Sequence, residues 1–580
     1  VACFIYTHQG EKSTSWGDPM RNYLKLTLSF LLLFGLLILG WGAIGASSFP
    51  SSSGHVTAAA STESGSQDRE VGRYFLGYAG DVVTYHYNPS RQGANLLETT
   101  LTPSNVNSTA FGKTGFFAVD GKVDAQPLYV YKLPGTSRIQ NTLFVVTEHG
   151  SVYNFDADAG TQTWKVSALL PGETPSDNHG CGQISPEIGI TGTPVIDRQR
   201  GQFGAIYFVA MSKDSSGNYH QRLHALDLKT GAELFGGPTE IMASYPGTGD
   251  GSQGGRVIFA PGQYAERAGL LELGGKIYIA FTSHCDLRPY TGWVMAYNAQ
   301  TLAQTSVLDV TPNGNEGAIW MAGAGLAGDN QALYFLDGNG TFDTTLNSQG
   351  FPVNGDYGNA FMKVSVTGQL AVADYFTMFN TVQESNNDED LGSGGAMVLP
   401  DLMDGQGHVH HLAVGAGKDS NIYVVDRDNM GKFNPNDDSA IYQEIDGVLP
   451  GGVWAMPAYF NNTVYYGSVG SPLKAFGITN AKLSTSPTGQ TSTSFTYPGT
   501  TPSVSANGSS NGIVWAVENT NPAVLHAYDA TNLSHELYNS NQAGSRDQFG
   551  PGNKFITPLI VNGRVFVGTQ SGVAMFGLLR

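Results

Sequence analysis

Charge is scarce in this sequence: Asp, Glu, Lys and Arg make up 13% of its 580 residues, about half the usual share. What charge there is leans acidic, with 30 Lys and Arg against 48 Asp and Glu and a formal net charge of -18. Such a surface repels phosphate backbones and argues against a nucleic-acid partner. The glycine-rich stretch at residues 322–328 has neither a following helical pattern nor a Walker lysine, so no nucleotide loop is present. No G-x-S-x-G elbow stands in a strand-to-helix setting, which leaves serine-hydrolase chemistry without support. There is no C-x-x-C-H, hence no attached haem. Cysteine is nearly missing, with three in all. Cys3 precedes the long apolar run; Cys181 and Cys285 follow it, and an oxidising compartment permits a disulfide between them, the alternative being two separate buried thiols.

There is one long apolar run. Arg21 and Lys25 precede apolar residues 26–39, and small residues follow at 42–46. This is the order of a secretory signal, and the run is long enough for an uncleaved anchor as the alternative. Met20 is the better start, with residues 1–19 an upstream extension. Residues 1–46 are therefore read as extension plus signal or anchor, and residues 47–80, rich in Ser, Ala, Gly and Thr, as a flexible linker. The expected location is secreted or periplasmic, with membrane contact only through the N-terminal segment if it stays uncleaved.

The chain is rich in Gly (75), Tyr (27) and Phe (29), the composition of many short strands and tight turns. One grammar recurs. Residues 556–578 read as a strand, an Asn562-Gly563 turn, a second strand, a Ser571-Gly572 turn and a third strand. Asn-Gly between apolar runs is a strong hairpin signal because both residues tolerate positive φ. Related copies lie at residues 125–164, 192–234, 268–305, 394–433, 454–483 and 501–537, with a more divergent one at 317–375. A spacing of roughly 40–60 residues suits propeller blades. The fold class expected is all-β: residues 81–580 form an eight-bladed β-propeller of four-stranded antiparallel blades. The last copy ends with three strands, and residues 111–121 are expected to supply the fourth and close the ring. Asp156, Asp227, Asn298, Asp426 and Asp529 end third strands and are turn formers, whose side chains bond their own backbone.

The apolar-Ala-apolar-Asp pattern followed by Thr-Gly and an aromatic, as in residues 153–164 and 223–234, resembles the repeat of the pyrroloquinoline quinone (PQQ) dehydrogenase-like propellers. Residues 93–106, 185–197, 283–297 and 418–433 look like a bacterial subgroup of secreted PQQ-like repeat proteins with no well-defined activity. The resemblance implies either of two functions. One is an extracytoplasmic binding or scaffold propeller that holds a protein or small-molecule ligand at its funnel or rim. The alternative is a PQQ-dependent oxidoreductase of alcohols, sugars or aldehydes with PQQ and Ca²⁺ in the funnel. The family's alcohol dehydrogenases carry a disulfide between adjacent cysteines over the quinone, and this chain has no such pair. No segment matches their Ca²⁺-ligand motif residue by residue, so no catalytic residue carries over, no metal ligand is assigned and no cofactor is fixed.

If a funnel site exists, its residues stand at strand starts and inter-blade loops: Glu187, Arg267, His284, Asp286, Trp293, Trp320 and Trp454. Arg grips a carboxylated quinone bidentately and Trp stacks on flat rings. Each also has a plain structural role open to it: a loop brace for Glu187, an ion pair for Arg267 and Asp286, a loop histidine for His284, blade packing for the three Trp. Two metal-like signals are weak. Asp426, Asp428, Gly431 and Asp437 echo an EF-hand loop but have Met430 at the fifth position. His408, His410 and His411 offer too few ligands for zinc.

Overall fold

A computed structural model describes residues 78–134 and 138–579. The signal or anchor and nearly all of the linker lie outside the described residues. Among the described residues no helix is long and apolar enough to cross a membrane.

The architecture is all-β. Among the described residues eight sheets have four or more strands, and each draws its strands from one stretch of chain, with two exceptions. Their innermost strands, in chain order, are Leu128–Pro134, Val195–Asp197, Leu271–Leu273, Ala327–Gly328, Met397–Val398, Ala458–Phe460, Ser503–Asn507 and Leu559–Val561. One exception is the seventh sheet, where Ala94–Asn95 pairs parallel with Val504 and Ser505; the other is the last sheet, whose outer strand is Phe111–Ala118, paired antiparallel with Gly572–Leu578 in the register Phe111↔Leu578 to Ala118↔Gly572. Its inner hairpin turns at Asn562 and Gly563, both at positive φ (52° and 73°), so that Val561 faces Arg564. A Cβ at Gly563 would stand 2.9 Å from Thr100 Cγ2, which leaves no room for another residue there. The fourth strands of the fifth and sixth sheets, Gln443–Ile445 and Gly489–Phe495, fall beyond the repeat limits read from the sequence.

The second strands read as continuous apolar runs because both their faces are covered. In Ala205–Lys213, Ile206 and Phe208 pack with Phe144 of the first sheet, whereas Tyr207 and Val209 pack with Ile277 and Ile279 of the third. Successive side chains of a strand point to opposite faces, so one strand serves two interfaces. One apolar cluster runs through the third to sixth sheets, and others join the sixth to the seventh and the seventh to the eighth. A last one packs Phe566 and Val573 of the eighth sheet on Leu143 and Phe155 of the first. Face-to-face packing of four-stranded sheets is that of a β-propeller.

The segment from Val82 to Glu98 was read from the sequence only as the beginning of the propeller. It meets the innermost strand, or the residue just before it, of all eight sheets. Val82 pairs with Tyr129; Ile196, Gly328, Val398, Tyr459 and Val504 donate their N–H groups to the carbonyls of Val83, Pro89, Ser90, Gln92 and Gly93. Arg91 donates to the carbonyl of Leu270 at 3.0 Å, and the Ile560 N–H reaches the Tyr87 hydroxyl at 2.8 Å. Arg91 is fully buried and also donates to Leu326, Thr84 and Tyr85. The segment satisfies backbone groups of the innermost strands that would otherwise stand unpaired, and it forms a plug across them.

Candidate functional site

The protein carries a cavity of about 110 Å³. Its wall comes from residues that precede innermost strands (Ala318, Trp320, Gly392, Ser393, Trp454), residues at or just after the ends of second strands (Ser283, His284, Cys285, Asp286, Gly338, Asn339, Lys418), and the segment around Cys181. In an antiparallel pair these positions share one edge, whereas the plug bonds further along the same innermost strands.

Cys181 and Cys285 form a disulfide, S–S 2.00 Å and Cα–Cα 5.6 Å, on the cavity wall. It ties the loop between Thr174–Asp177 and Glu187–Ile188 to the loop after Lys276–Ser283. His179 and His284 stack beside it, ring centroids 4.0 Å apart. Burial, with the neighbouring His179, pushes His284 down to about 4, so its ring is neutral at physiological pH. His284 Nε2 is buried without a hydrogen-bond partner. The bridge spans 104 residues, and its loss should cost about 2–4 kcal/mol. The Cys181→Ser/Cys285→Ser double variant is therefore expected to melt several degrees lower, as read by calorimetry; an unchanged midpoint would mean that sheet packing alone holds the two loops.

The acids of the wall are already engaged. Asp286 accepts from Tyr290 at 2.8 Å and from Ser283 at 3.1 Å. Asp390 pairs with Lys418 at 2.7 Å, and Lys418 also pairs with Asp388. Burial opposes the charge on Lys418, but Asp390 and Asp388 outweigh it and hold its pKa above the ordinary lysine value; burial likewise raises Asp390. Asp388 is itself fastened to Asn339 at 2.7 Å. On the other side stands an aromatic arc: Trp320 meets Phe555 at 5.5 Å, Phe555 meets Tyr497 at 6.3 Å, and Tyr497 meets Trp454 at 5.8 Å.

Four of the seven residues singled out from the sequence, His284, Asp286, Trp320 and Trp454, line this cavity. Arg267 lies behind it, buried, its guanidinium 5.9 Å from the Trp320 ring and 5.7 Å from Phe555. Its Nη2 has no partner, and a Cβ on Gly323 would come within 2.2 Å of its Nη1. Its neighbour Glu266 packs on Gly192, where a Cβ would stand 2.1 Å from the carboxylate; burial raises its pKa well above the usual range, against the pull of Arg267. Glu187 is off the cavity and bonds His149 at 2.9 Å. Trp293 is fully buried in the core between the second and third sheets and donates to Tyr264 at 3.0 Å. It belongs to blade packing and not to the cavity, because it points along the sheet face rather than out of the strand end. Asp390, Lys418, Asn339 and Tyr290 were not singled out; the signal available was their place next to strand ends that face the same edge as His284.

Elsewhere, Asp428 bonds His411 at 2.8 Å, and Met430, the residue that breaks the EF-hand echo, is buried. His408 and His410 share Asp404 at 3.1 and 3.3 Å.

No protein-family model and no curated protein matches this chain. Solved structures do. The quinohemoprotein alcohol dehydrogenase of Comamonas testosteroni superposes with a TM-score of 0.57 at 14% identity, over 86% of this chain and 80% of that one. The fold is that of the quinoprotein dehydrogenases. A europium-containing methanol dehydrogenase gives 0.56 at 13% identity over 88% of this chain and all (100%) of that one, and the enzyme ADHIIG of Pseudomonas putida HK5 gives 0.56 at 13% over 86% and 80%.

The residues present do not fit the cofactor that this fold suggests. Ca²⁺ takes six to eight oxygens, but the cavity's carboxylates are bound to Ser283, Tyr290 and Lys418, and among the described residues no three His, Cys, Asp or Glu are grouped to hold a metal. Ligand pockets usually measure roughly 300–1,000 Å³; about 110 Å³ is small for a tricyclic tricarboxylate. The wall's one cation, Lys418, is already matched by two carboxylates.

Proposed function

We propose that this chain is an extracytoplasmic binding propeller. Its eight sheets form a ring of eight blades, closed by Phe111–Ala118 and plugged by Val82 to Glu98, and the cavity at the open mouth receives a small molecule or a protruding group of a partner. The observation that carries this reading is the cavity itself: it is enclosed at the far end, walled by Trp320, Trp454 and the disulfide, and its carboxylates are held by the protein's own groups. Such a wall binds without supplying a metal or a free base. The N-terminal signal pattern supports the extracytoplasmic assignment, as does the disulfide.

A thermal-shift screen of small polar molecules, with an Asn339→Trp variant that fills the lip of the cavity, tests the reading. A ligand that raises the midpoint of the wild type by several degrees and not that of the variant is the expected result. A ligand that acts equally on both would place binding elsewhere.

A second reading, a PQQ-dependent oxidoreductase, draws on one observation: a disulfide, two Trp and the Arg267 guanidinium cluster at a single site. Titration with PQQ and Ca²⁺, coupled to dye reduction with alcohols, aldehydes and sugars, separates the two readings. Turnover would establish the oxidoreductase; no binding at high micromolar PQQ would remove it.

A further inference from the structure

Resting on the binding role proposed above, we infer that the mouth cavity takes a small organic cation, an alkylammonium head group seated between Trp320 and Trp454 with Asp286 and the Asp388–Lys418–Asp390 group as its counter-charge.

Size comes first. An apolar cavity of about 150 Å³ holds benzene, so about 110 Å³ accommodates a head group of trimethylammonium scale, its tail leaving through the mouth.

Charge comes second. Among the lining residues two carboxylates, Asp286 and Asp390, face one ammonium, Lys418; just outside the lining, Asp388 also holds Lys418, and Lys554 is turned to Gly182 and Gln183. His284 contributes no positive charge, because its ring is neutral. Arg267 stands behind Trp320, outside the lining, with its guanidinium turned to the Trp320 and Phe555 rings, and Glu266, whose pKa burial raises, is not counted against it. The excess at the wall is negative, which attracts a cation and repels a carboxylate or phosphate.

The walls come third. Three aromatic side chains line the cavity: Trp320, Trp454 and Tyr290, the last with its hydroxyl turned to Asp286 at 2.8 Å. Ring faces attract an organic cation by their quadrupole, by about 0.5–2 kcal/mol each, and quaternary ammonium groups are recognised in this way. An alkylammonium also makes few hydrogen-bond demands, which suits a wall whose carboxylates are already bonded. The buried Nε2 of His284 and Oδ1 of Asn339, both lining residues, have no hydrogen-bond partner, and they offer contacts to a hydroxyl on the ligand's tail.

The test is isothermal titration of the full chain with tetramethylammonium, choline, choline's uncharged isostere 3,3-dimethylbutan-1-ol, and acetate. Expected are saturable binding of the two cations, about tenfold weaker binding of the isostere, and none of acetate. Asp286→Asn and Trp454→Leu, each shown by its melting curve to be folded, should each weaken choline about tenfold. Equal binding of choline and the isostere would overturn the inference while leaving a binding cavity, as would preference for acetate. Failure of both cations up to 100 mM (roughly the weakest affinity that about 1–2 kcal/mol would supply) would also overturn it, and the ligand screen with Asn339→Trp would then decide separately whether the cavity binds anything at all.

Discussion

A chain that begins at Asp124 will not fold to a stable monomer, whereas one that begins at Tyr78 will. The shorter chain loses two things together. The first is the strand Phe111–Ala118, whose Phe111 and Phe117 are buried against Trp515, Tyr538, Phe155 and Phe566. Removing each phenylalanine costs about 3–5 kcal/mol, and Gly572–Leu578 becomes an unpaired edge besides. The second is the plug, with its bonds to all eight innermost strands and the four carbonyl and hydroxyl partners of buried Arg91. The sum exceeds the roughly 5–15 kcal/mol that holds a typical domain. Circular dichroism and gel filtration of the two truncations provide the check. A peptide of residues 78–123 added in trans should rescue the shorter chain, because the lost contacts are non-covalent. A cooperative melt of the Asp124 chain near that of the longer one would refute ring closure by this segment. The single substitution Arg91→Met, which strands the Leu270 and Leu326 carbonyls, should by itself lower stability by several kcal/mol, about 1–3 for each lost partner.

Stability should peak near pH 5 and fall as the pH rises to 8. Several carboxyls are buried with little compensation. Burial pushes Asp309 up to about 7, Glu272 to about 7 and Glu384 to about 8, and it drives Glu148, Glu266 and Asp337 well above the ordinary range. In the unfolded chain all titrate near 4. Below that value both states are protonated and the shift has no effect. Above it the unfolded chain ionises first, so the folded state binds more protons and loses about 1.4 kcal/mol per pH unit for each such group until its folded value is passed. The acid side is limited by carboxylates of the opposite kind. Asp214, pulled down to about 2 by Asn218, and Glu173, lowered in spite of burial by Arg222, contribute stability above pH 4 that is lost as the pH falls through their folded values. Melting midpoints from pH 4 to 9 test this. Asp309→Asn, which keeps the contact to Thr291, should flatten the decline between pH 5 and 7. A midpoint that rises from pH 5 to 8 would mean that these carboxyls are ionised in the folded protein.

How far each feature was legible depends on the range of the interaction behind it. Asn562-Gly563 marks a hairpin because positive φ at two successive residues is a local demand, met within four residues of chain. The second strands, such as Ala205–Lys213, declare themselves by runs of apolar residues, since each is covered on both faces. Residues 111–121 could be matched to the last repeat because that repeat lacked a strand, a gap visible in the period itself. Arg91 and the residues around it carry no such mark: their partners are backbone N–H and carbonyl groups spread over some 430 residues of sequence, from Tyr129 to Ile560, and a backbone group is not a sequence signal.

The same distinction runs through the site. His284, Asp286, Trp320 and Trp454 stand out as unusual residue types at strand ends, and position along a repeat predicts which edge they share. Which of them meet was decided by packing. Trp293, equally unusual, turns into the core because its place within a strand sends its ring to the sheet face. Lys418 and Asp390 enter the cavity because loops of adjacent sheets converge there. The repeat, its strands and its turns follow from the sequence alone, as they arise from propensity, alternation and turn chemistry within one repeat. The plug, the cavity and the pairing of its charges are set only by tertiary structure, where strand edges far apart in sequence are brought together.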